Sequence, residues 1–455
     1  MNKKHLIYLL LGMLVLIGFN SKAQFDNINL NKYKLTDFRY KSLSTNLNFN
    51  NEGRYINSST NSNQNNLSSN GGISYSSTSQ SRKYYGNQNI SFGFNNNYGK
   101  SEVSSINTYS SSSNSLYLSA SINNKFYISD KNFFAINFST YMSPSQSHSR
   151  QDNFTDVSKT LNNYFFANNM LSIQIGRGRY ENVTDARLAI YILDDLVKQG
   201  RLSRSPNEDE VFELADFITK TLNKRVIDTR TKRIQEYVAV DSFLVSKGLT
   251  TKTDGLYFGI INDNWNYARS QSWQTGKSWF FGVSPILSYN NNFYKYTLND
   301  LVISKQRHEL TRYGIGFNAG FGSSWIKGLK WQEGYSLNGS FNIFKYDTVG
   351  SYSAINNYQS ISGQASYFLS YIPNTRTVIN FGSGIVLTKY FNVDTNDRIE
   401  ITPNIAGSCN YYFSEKLRLQ INANVNYNFN RMYAPISTIK TVDFGFRAAL
   451  QYYIF

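Results

Sequence analysis

Residues 416–430, KLRLQINANVNYNFN, decide how the rest of the chain is read. Leu417, Leu419, Ile421, Ala423, Val425, Tyr427 and Phe429 fall on one parity. Lys416, Arg418, Gln420 and the asparagines at 422, 424, 426, 428 and 430 fall on the other. Successive side chains of a β-strand point to opposite faces, so this run is a strand with one apolar and one polar face. The alternation alone leaves open which face meets water. A two-layer sandwich turns the apolar face inward, whereas a sheet closed on itself within a bilayer turns it outward, against lipid.

Composition narrows the choice. Of 455 residues 40% are hydrophobic, and the mean hydropathy of −0.43 is too polar for a bundle of membrane helices. Yet 16% of the residues are aromatic, with 35 Tyr and 32 Phe, and Asn and Ser are abundant. Aromatic-rich strands with polar partners suit a sheet wetted on one side. The 6 prolines leave room for long uninterrupted strands. Strands are expected at 39–50, 70–79, 84–98, 114–128, 132–142 and 162–176. After a gap they resume at 276–292, 309–325, 331–347, 357–372, 375–390, 398–413, 416–430 and 439–455. That is about fourteen, within a range of roughly 12–16, each about ten residues or more, as a tilted membrane strand needs.

The connections decide the side. Those at 51–69, 99–113, 143–161, 293–308, 348–356, 391–397 and 431–438 are long and rich in Ser, Asn and Asp. Those between them, such as 129–131, 326–330, 373–374 and 414–415, are short. Long extracellular loops alternating with short periplasmic turns belong to a membrane barrel and have no counterpart in Greek-key sandwiches. The Ser/Asn tracts at 57–70 and 101–115 are accordingly expected to be mobile surface loops. The apolar parity faces lipid.

Between the sixth and seventh strands the period changes. Residues 184–199 place Ala189, Ile192, Leu193, Leu196 and Val197 on one helical face, with Thr184 as N-cap and Gly200 as the stop. A second helix is expected behind Ser205, with Pro206 at its first position and Glu208 completing a capping box. Val211, Leu214, Ala215, Ile218 and Leu222 form its stripe. A third spans about 228–248, with Ile234, Val238 and Leu244 inward. Residues 254–268 fit a helix better than a strand, and a helix keeps the strand number even. The insert, 177–270, then joins the barrel portions 24–176 and 271–455 on the periplasmic side. Trp273, Trp279, Trp325 and Trp331 map near that rim and are expected to form an aromatic girdle; Trp265 belongs to the insert.

The N-terminus supplies the compartment. Lys3 and Lys4, an apolar run over 6–19 and a small-x-small site at 21–23 describe a signal peptide, residues 1–23, cleaved after Ala23. Cys409, the single cysteine, allows no intramolecular disulfide and sits on an apolar parity with Ile401, Ile405 and Tyr411. The net charge is +16. It comes without any nucleic-acid module, and in an exported barrel it suits lipopolysaccharide phosphates or an anion-biased lumen.

The signal peptide, the alternating strands, the loop asymmetry and the ending FGFRAALQYYIF together resemble outer-membrane β-barrel proteins of Gram-negative bacteria, porin-like, in an uncharacterised subfamily with a helical insert. The resemblance implies an all-β transmembrane antiparallel β-barrel with a small α-helical insert. It also implies placement in the outer membrane among lipid and lipopolysaccharide, and recognition by the barrel-assembly machinery through the C-terminal strand. Family members often end in an aromatic residue, as here at Phe455, although Phe455 falls on the parity opposite Val442, Phe444, Phe446, Leu450 and Ile454.

Candidate chemistry is sparse. A Ser–His or Asp–His site would have to use His148 or His308, both in expected outer loops and both read as solvated. Two histidines and one lipid-facing cysteine make no metal site, and no cofactor is expected. GRGR at 176–179 lacks the phosphate-loop spacing and is read as a flexible exit into the insert. Selectivity belongs to the polar parity, with candidates Arg312, Arg418, Asn422, Asn424, Asp443 and Arg447, the last expected beside Asn422 or Asn424. A glycine stripe at 314, 316, 320 and 322 points to curvature or to something packed inside, a loop or part of the insert. Function is therefore read first as a porin-like channel or binding barrel for small polar solutes. The second reading is a docking barrel whose periplasmic insert binds a protein partner. An outer-membrane hydrolase is a distant third, and no enzyme is expected.

Overall fold

The computed structural model describes residues 28–452 except 36, 57–61, 104–106, 224–232, 251, 268–271, 351–356, 392–396, 415–416 and 434–435. The expected signal peptide, its cleavage after Ala23 and the terminal Phe455 lie outside the described residues. The chain makes a 14-stranded antiparallel sheet whose spatial order follows the sequence. The strands are β1 (Asp37–Ile56), β2 (Ser62–Ser81), β3 (Tyr84–Val103), β4 (Asn107–Tyr127), β5 (Asn132–Asp152), β6 (Val157–Asn182), β7 (Gln274–Leu298), β8 (Leu301–Lys327), β9 (Trp331–Val349), β10 (Tyr358–Asn374), β11 (Thr377–Phe391), β12 (Arg398–Tyr412), β13 (Leu417–Tyr433) and β14 (Ile436–Tyr452). Between β6 and β7 stand α1 (Thr184–Lys198), α2 (Glu208–Leu222), α3 (Arg233–Ser246) and α4 (Gly255–Tyr267). Residues 255–267 are thus helical, as parity required. The fold is an up-and-down transmembrane β-barrel with a helical insert. β1 and β14 are its last two edges. Among the described residues they are not paired with each other, and a barrel in lipid has to join them, because each unpaired backbone group in hydrocarbon costs several kcal/mol.

The opening stretch is β13, and its register is unbroken. Val425 pairs with Phe444, Ala423 with Phe446 and Leu419 with Leu450 on the apolar side. Phe444 is 84% exposed and Phe446 68%. On the polar side Asn424 pairs with Gly445 and Asn422 with Arg447, as expected. The same division runs through the neighbouring strands. Ile405, Phe381, Leu337, Phe317, Phe281 and Ile175 are exposed on one face. Ser360, Ser370, Ser284 and Ser288 line the other, where neighbouring rims and rings bury them. No described helix is long and apolar enough to cross a membrane; the crossing is made by strands.

Three of the expected long loops are mostly strand instead, while parts of those at 51–69, 348–356, 391–397 and 431–438 lie outside the described residues. At 293–308, β7 runs to Leu298 and β8 starts at Leu301, joined by Asn299 and Asp300 with φ of 48° and 63°. Two consecutive left-handed residues form the tight hairpin turn that matches strand twist. Much of 101–115 likewise belongs to β3 and β4, and 143–161 to β5 and β6. These tracts carry Ser and Asn on both parities, so they have no apolar face to reveal a strand, yet their backbones pair fully. β6, β7 and β8 reach 26, 25 and 27 residues. At roughly 3.3 Å per residue and a tilt of about 40°, the longest rises on the order of 65 Å, against an apolar band of about 25 Å.

The glycine stripe of β8 faces inward, and rings from neighbouring strands cover it. A Cβ at Gly314 would meet the Phe344 ring at 2.5 Å, while Gly320 lies under Phe280 and Gly322 under the Tyr180 hydroxyl. What packs against the stripe comes from β9, β7 and β6 themselves, so neither a loop nor the insert explains it. Rings laid over cross-strand glycines recover area that a bare backbone would forfeit.

Candidate functional site

The insert lies at the barrel end that carries the short turns, and it is packed across that mouth. α1 is buried on every side: Leu188, Ile190 and Ile192 are 0% exposed, so the single apolar face expected for it is too narrow a description. Its core includes Val211, Leu214 and Ile218 of α2, Val240 and Leu244 of α3, and Tyr257, Ile261 and Trp265 of α4. Ile326 and Leu329 from the β8–β9 turn join it, as do Ile372 and Val378 beside the β10–β11 turn. Leu30, Tyr33 and Leu35, which precede β1 and which the sequence reading passed over, complete it.

Polar links tie the same insert around the rim. The Asn223 side chain at the end of α2 donates to the Asp37 carbonyl and accepts from the Arg39 amide, both on β1. Tyr191 donates to the Leu329 carbonyl at 3.2 Å. Arg376 in the β10–β11 turn pairs with Asp263 at 3.2 Å, and Tyr267 of α4 packs on Tyr412 of β12 with ring centroids 5.8 Å apart. Tyr33 donates to Asp216 at 2.8 Å; burial first, and Asp216 second, push its phenol above the ordinary range. Contacts with β1, β8–β9, β10–β11 and β12 come from different sectors of the rim, so the insert spans the opening.

Several local expectations shift. The N-cap of α1 is Val183, with no side-chain cap, while Thr184 accepts from the Trp273 amide; Gly200, φ 62°, does stop the helix. The capping box of α2 is Asn207 with Glu210, two residues beyond the expected Ser205 and Glu208. On α3, Ile234 is 76% and Val238 50% exposed, while Glu236, Val240 and Leu244 face the core. Trp265 donates to Glu236 there at 3.1 Å. Residues 176–179 are a continuation of β6 around Gly178, φ 116°, in place of a flexible exit. Arg179 stacks 3.7 Å over Tyr127 and donates to the Ser81 and Arg82 carbonyls of the β2–β3 hairpin.

At the centre of the insert Arg187 is 1% exposed. Its guanidinium lies 4.1 Å from the Trp273 ring centroid and 4.8 Å from that of Tyr191, and donates to the Tyr191 hydroxyl at 3.0 Å. Burial pulls its proton affinity below the usual value, with Tyr191 opposing. Trp273 is 0% exposed and belongs to this core, not to an aromatic girdle; it directly precedes β7 and turns inward to meet Arg187. The other three tryptophans lie on the outer face at this end. Trp279 is 41% exposed, Trp325 donates to Glu333 at 2.6 Å, and Trp331 stacks on Tyr371 at 4.1 Å.

A second constellation occupies the inner wall near the other end of the apolar band. Arg312 on β8 pairs in register with Tyr346 on β9, and its guanidinium sits 4.8 Å from the Phe344 ring. Phe344 lies 5.0 Å from Tyr358 on β10, Tyr346 stacks on Tyr358 at 5.8 Å, and Tyr358 lies 6.0 Å from Tyr390 on β11. Arg398 on β12 closes the row 5.7 Å over Tyr390. The outward apolar residues Tyr313, Ile343, Ile361 and Leu387 mark the same height on β8 to β11. These rings share the parity of the polar residues, which is the signal that the sequence reading left unused.

Among the sequence candidates only Arg312 belongs to this belt. Arg418 lies at the insert end of β13, donating to Gln451. Asn422, Asn424, Asp443 and Arg447 share the polar face of β13 and β14, where Asp443 accepts from Asn428 at 3.5 Å. His148 and His308 sit on β5 and β8, not in loops. Among the described residues no cluster suits a metal ion.

No family model and no curated protein sequence matches the chain. Solved structures similar to it include the CymD monoaromatic hydrocarbon channel, 11% identical over 96% of this chain and 94% of that one, with a TM-score of 0.27. The Pseudomonas putida toluene transporter TodX is 7% identical over 92% and 89%, with a TM-score of 0.29. The translocator domain of autotransporter NalP from Neisseria meningitidis is 8% identical over 93% and 91%, with a TM-score of 0.22. The chain has the fold of an outer-membrane β-barrel. That statement stands on the strand order and the outward apolar band, since overlaps this low add no argument.

Proposed function

We propose that this barrel is a gated channel for small polar solutes, with the periplasmic mouth closed by the helical insert in the state described. The observation that supports it most is the pairing of a carboxamide- and hydroxyl-lined inner face with an insert packed against strand ends around the rim. Such a wall replaces bulk water with fixed donors and acceptors, which is what passage of a polar solute through lipid requires. An insert held by dry contacts stays in place until something removes it. The test is planar-bilayer conductance of the full chain beside a variant in which a short linker replaces residues 184–272. A several-fold rise in conductance on removal supports the gate. Equal conductance from both proteins rules it out.

A second reading, an insert that docks a periplasmic protein, draws on Ile234, Val238 and Val245, which are exposed along one side of α3. A photo-crosslinker at Val238 in living cells should yield a discrete adduct if that face is occupied, and none otherwise.

A further inference from the structure

We infer that the inner-wall belt from Arg312 to Arg398 is a binding subsite for an acidic saccharide chain, one whose sugar rings bear carboxylates. The inference deepens the channel reading by naming its solute class, and it rests on that reading for the solute's entry from the outer side.

Three features of the belt select this chemistry. The first is its shape. Phe344, Tyr358 and Tyr390 come from three adjacent strands, with centroid steps of 5.0 and 6.0 Å, and Tyr346 stacks beside Tyr358. The tyrosines are half-buried, one side against the wall and the other toward the lumen. Phe344 is buried and backs the row, while Tyr358 and Tyr390, on adjacent strands, keep ring surface on the lumen side for the C–H faces of successive sugar rings.

The second is the wall around the plates, which is rich in hydroxyls and carboxamides and where the Glu400 carboxylate is already engaged by Arg398 and by the Tyr390 hydroxyl, 3.4 Å away. Ser360 pairs in register with both Asn342 and Tyr390, and the Asn342 carboxamide donates to the Ser360 hydroxyl at 3.4 Å. Groups that both donate and accept match sugar hydroxyls, which do the same. An aromatic acid without hydroxyls would leave them unmet, and burying unmet polar groups costs affinity.

The third is charge. Arg307 and Arg398 each have a carboxylate partner, Glu309 and Glu400. Arg312 instead donates to the Asn168 carboxamide at a long 3.4 Å and meets the Tyr346 hydroxyl, and its buried Nε–H has no partner among the described residues. A guanidinium held over Phe344 with no carboxylate partner among the described residues is set to receive one from a ligand, and its planar fork suits carboxylate in particular. A neutral sugar would use the plates and leave this charge unanswered.

The experiment is calorimetric titration of the purified full chain in detergent, with an oligogalacturonate, a neutral glucan of the same length, benzoate and inorganic phosphate in parallel. Oligogalacturonate should bind, and each other probe should bind at least about tenfold more weakly. Arg312→Gln should weaken oligogalacturonate about tenfold or more while leaving the neutral glucan unchanged, and Arg312→Lys should fall between because it keeps charge but loses the fork. Tyr358→Ala should weaken both sugars. Heat-modifiable gel mobility reports that each variant is folded. Equal binding of the neutral glucan, of benzoate or of phosphate overturns the proposal, as does absence of binding or indifference to Arg312→Lys and Arg312→Gln alike. Conductance recorded on the same preparation separates the two readings. Conductance without oligogalacturonate binding overturns the subsite alone, and binding without conductance overturns the channel alone.

Discussion

α1 and β14 are both rich in large apolar residues, and their surroundings are opposite. Leu188, Ile190 and Ile192 of α1 are 0% exposed, whereas Phe444 of β14 is 84% exposed and Leu450 65%. The helix finds its apolar partners within the protein, and the strand finds them in the bilayer. Hydrophobicity in the sequence therefore marks what avoids water, while the period marks which refuge it takes: 3.6 residues for the packed insert and two for the lipid-facing wall. The inner wall is where the two meet, since the insert packs against the ends of strands whose polar parity builds that wall.

The largest contrast between these regions is all-or-none and concerns sidedness. With Cys409 replaced by Ser, a cysteine at Lys220, exposed on α2, should be shielded from impermeant thiol reagents in intact cells and react after permeabilisation. A cysteine at Phe154, 85% exposed between β5 and β6, should react in intact cells. Reaction at both without permeabilisation would put the insert on the cell surface. Next in size is the insert core. Leu193→Ala, at a side chain 1% exposed, should cost about 2–5 kcal/mol in denaturant unfolding followed by tryptophan fluorescence. A cost comparable with that of an exposed α3 position would deny that α1 is the core of the plug.

The wall is tested at neighbouring residues of β13. Val425→Arg should cost about 2–4 kcal/mol near the midplane, and Asn424→Arg, on the lumen side, well under half of that. Equal costs in refolding equilibria would break the assignment of faces. The smallest effect is a titration at the entry to α2. Hydrogen bonding from Arg204, reinforced by the Asn207 amide, holds the Glu210 carboxyl at about 2. Its pKa is depressed on folding, so its contribution is complete above the ordinary glutamate range near 4.3 and fades as pH falls toward 2. Arg204 is half exposed, so solvent screens the pair and the loss should stay below about 1 kcal/mol. Insert melting compared at pH 6 and pH 3 should show a decrement that Glu210→Gln removes.

Strand number, order and facing were legible because β13 and its neighbours alternate cleanly wherever they meet lipid. The outer hairpins were not, because Ser and Asn on both parities erase the period while leaving the backbone free to pair. The α2 cap slipped by two residues because Ser205 with Glu208 and Asn207 with Glu210 both satisfy the capping pattern, and only packing chooses between them. Trp273 was misplaced because position along the chain says how near a strand end it lies, not which way its ring turns. Leu30, Tyr33 and Leu35 were passed over because three residues show no period. The belt went unseen for a related reason: Tyr346, Tyr358 and Tyr390 are far apart in sequence, and only the register aligns them.

With the insert on the periplasmic side, as proposed, the height of β6, β7 and β8 has a consequence at the cell surface. An endoprotease must draw an unpaired, extended segment of its substrate into its cleft, and a hairpin closed by two residues at Asn299 and Asp300 offers almost none. Lys159 and Lys305 stand on ladders with neighbours on both sides or a partner within the hairpin. They should survive trypsin applied to whole cells, although trypsin cuts after lysine. In the proposed channel these strands form a stiff polar collar above the lipid, and a solute would have to come down that shaft to reach the lumen.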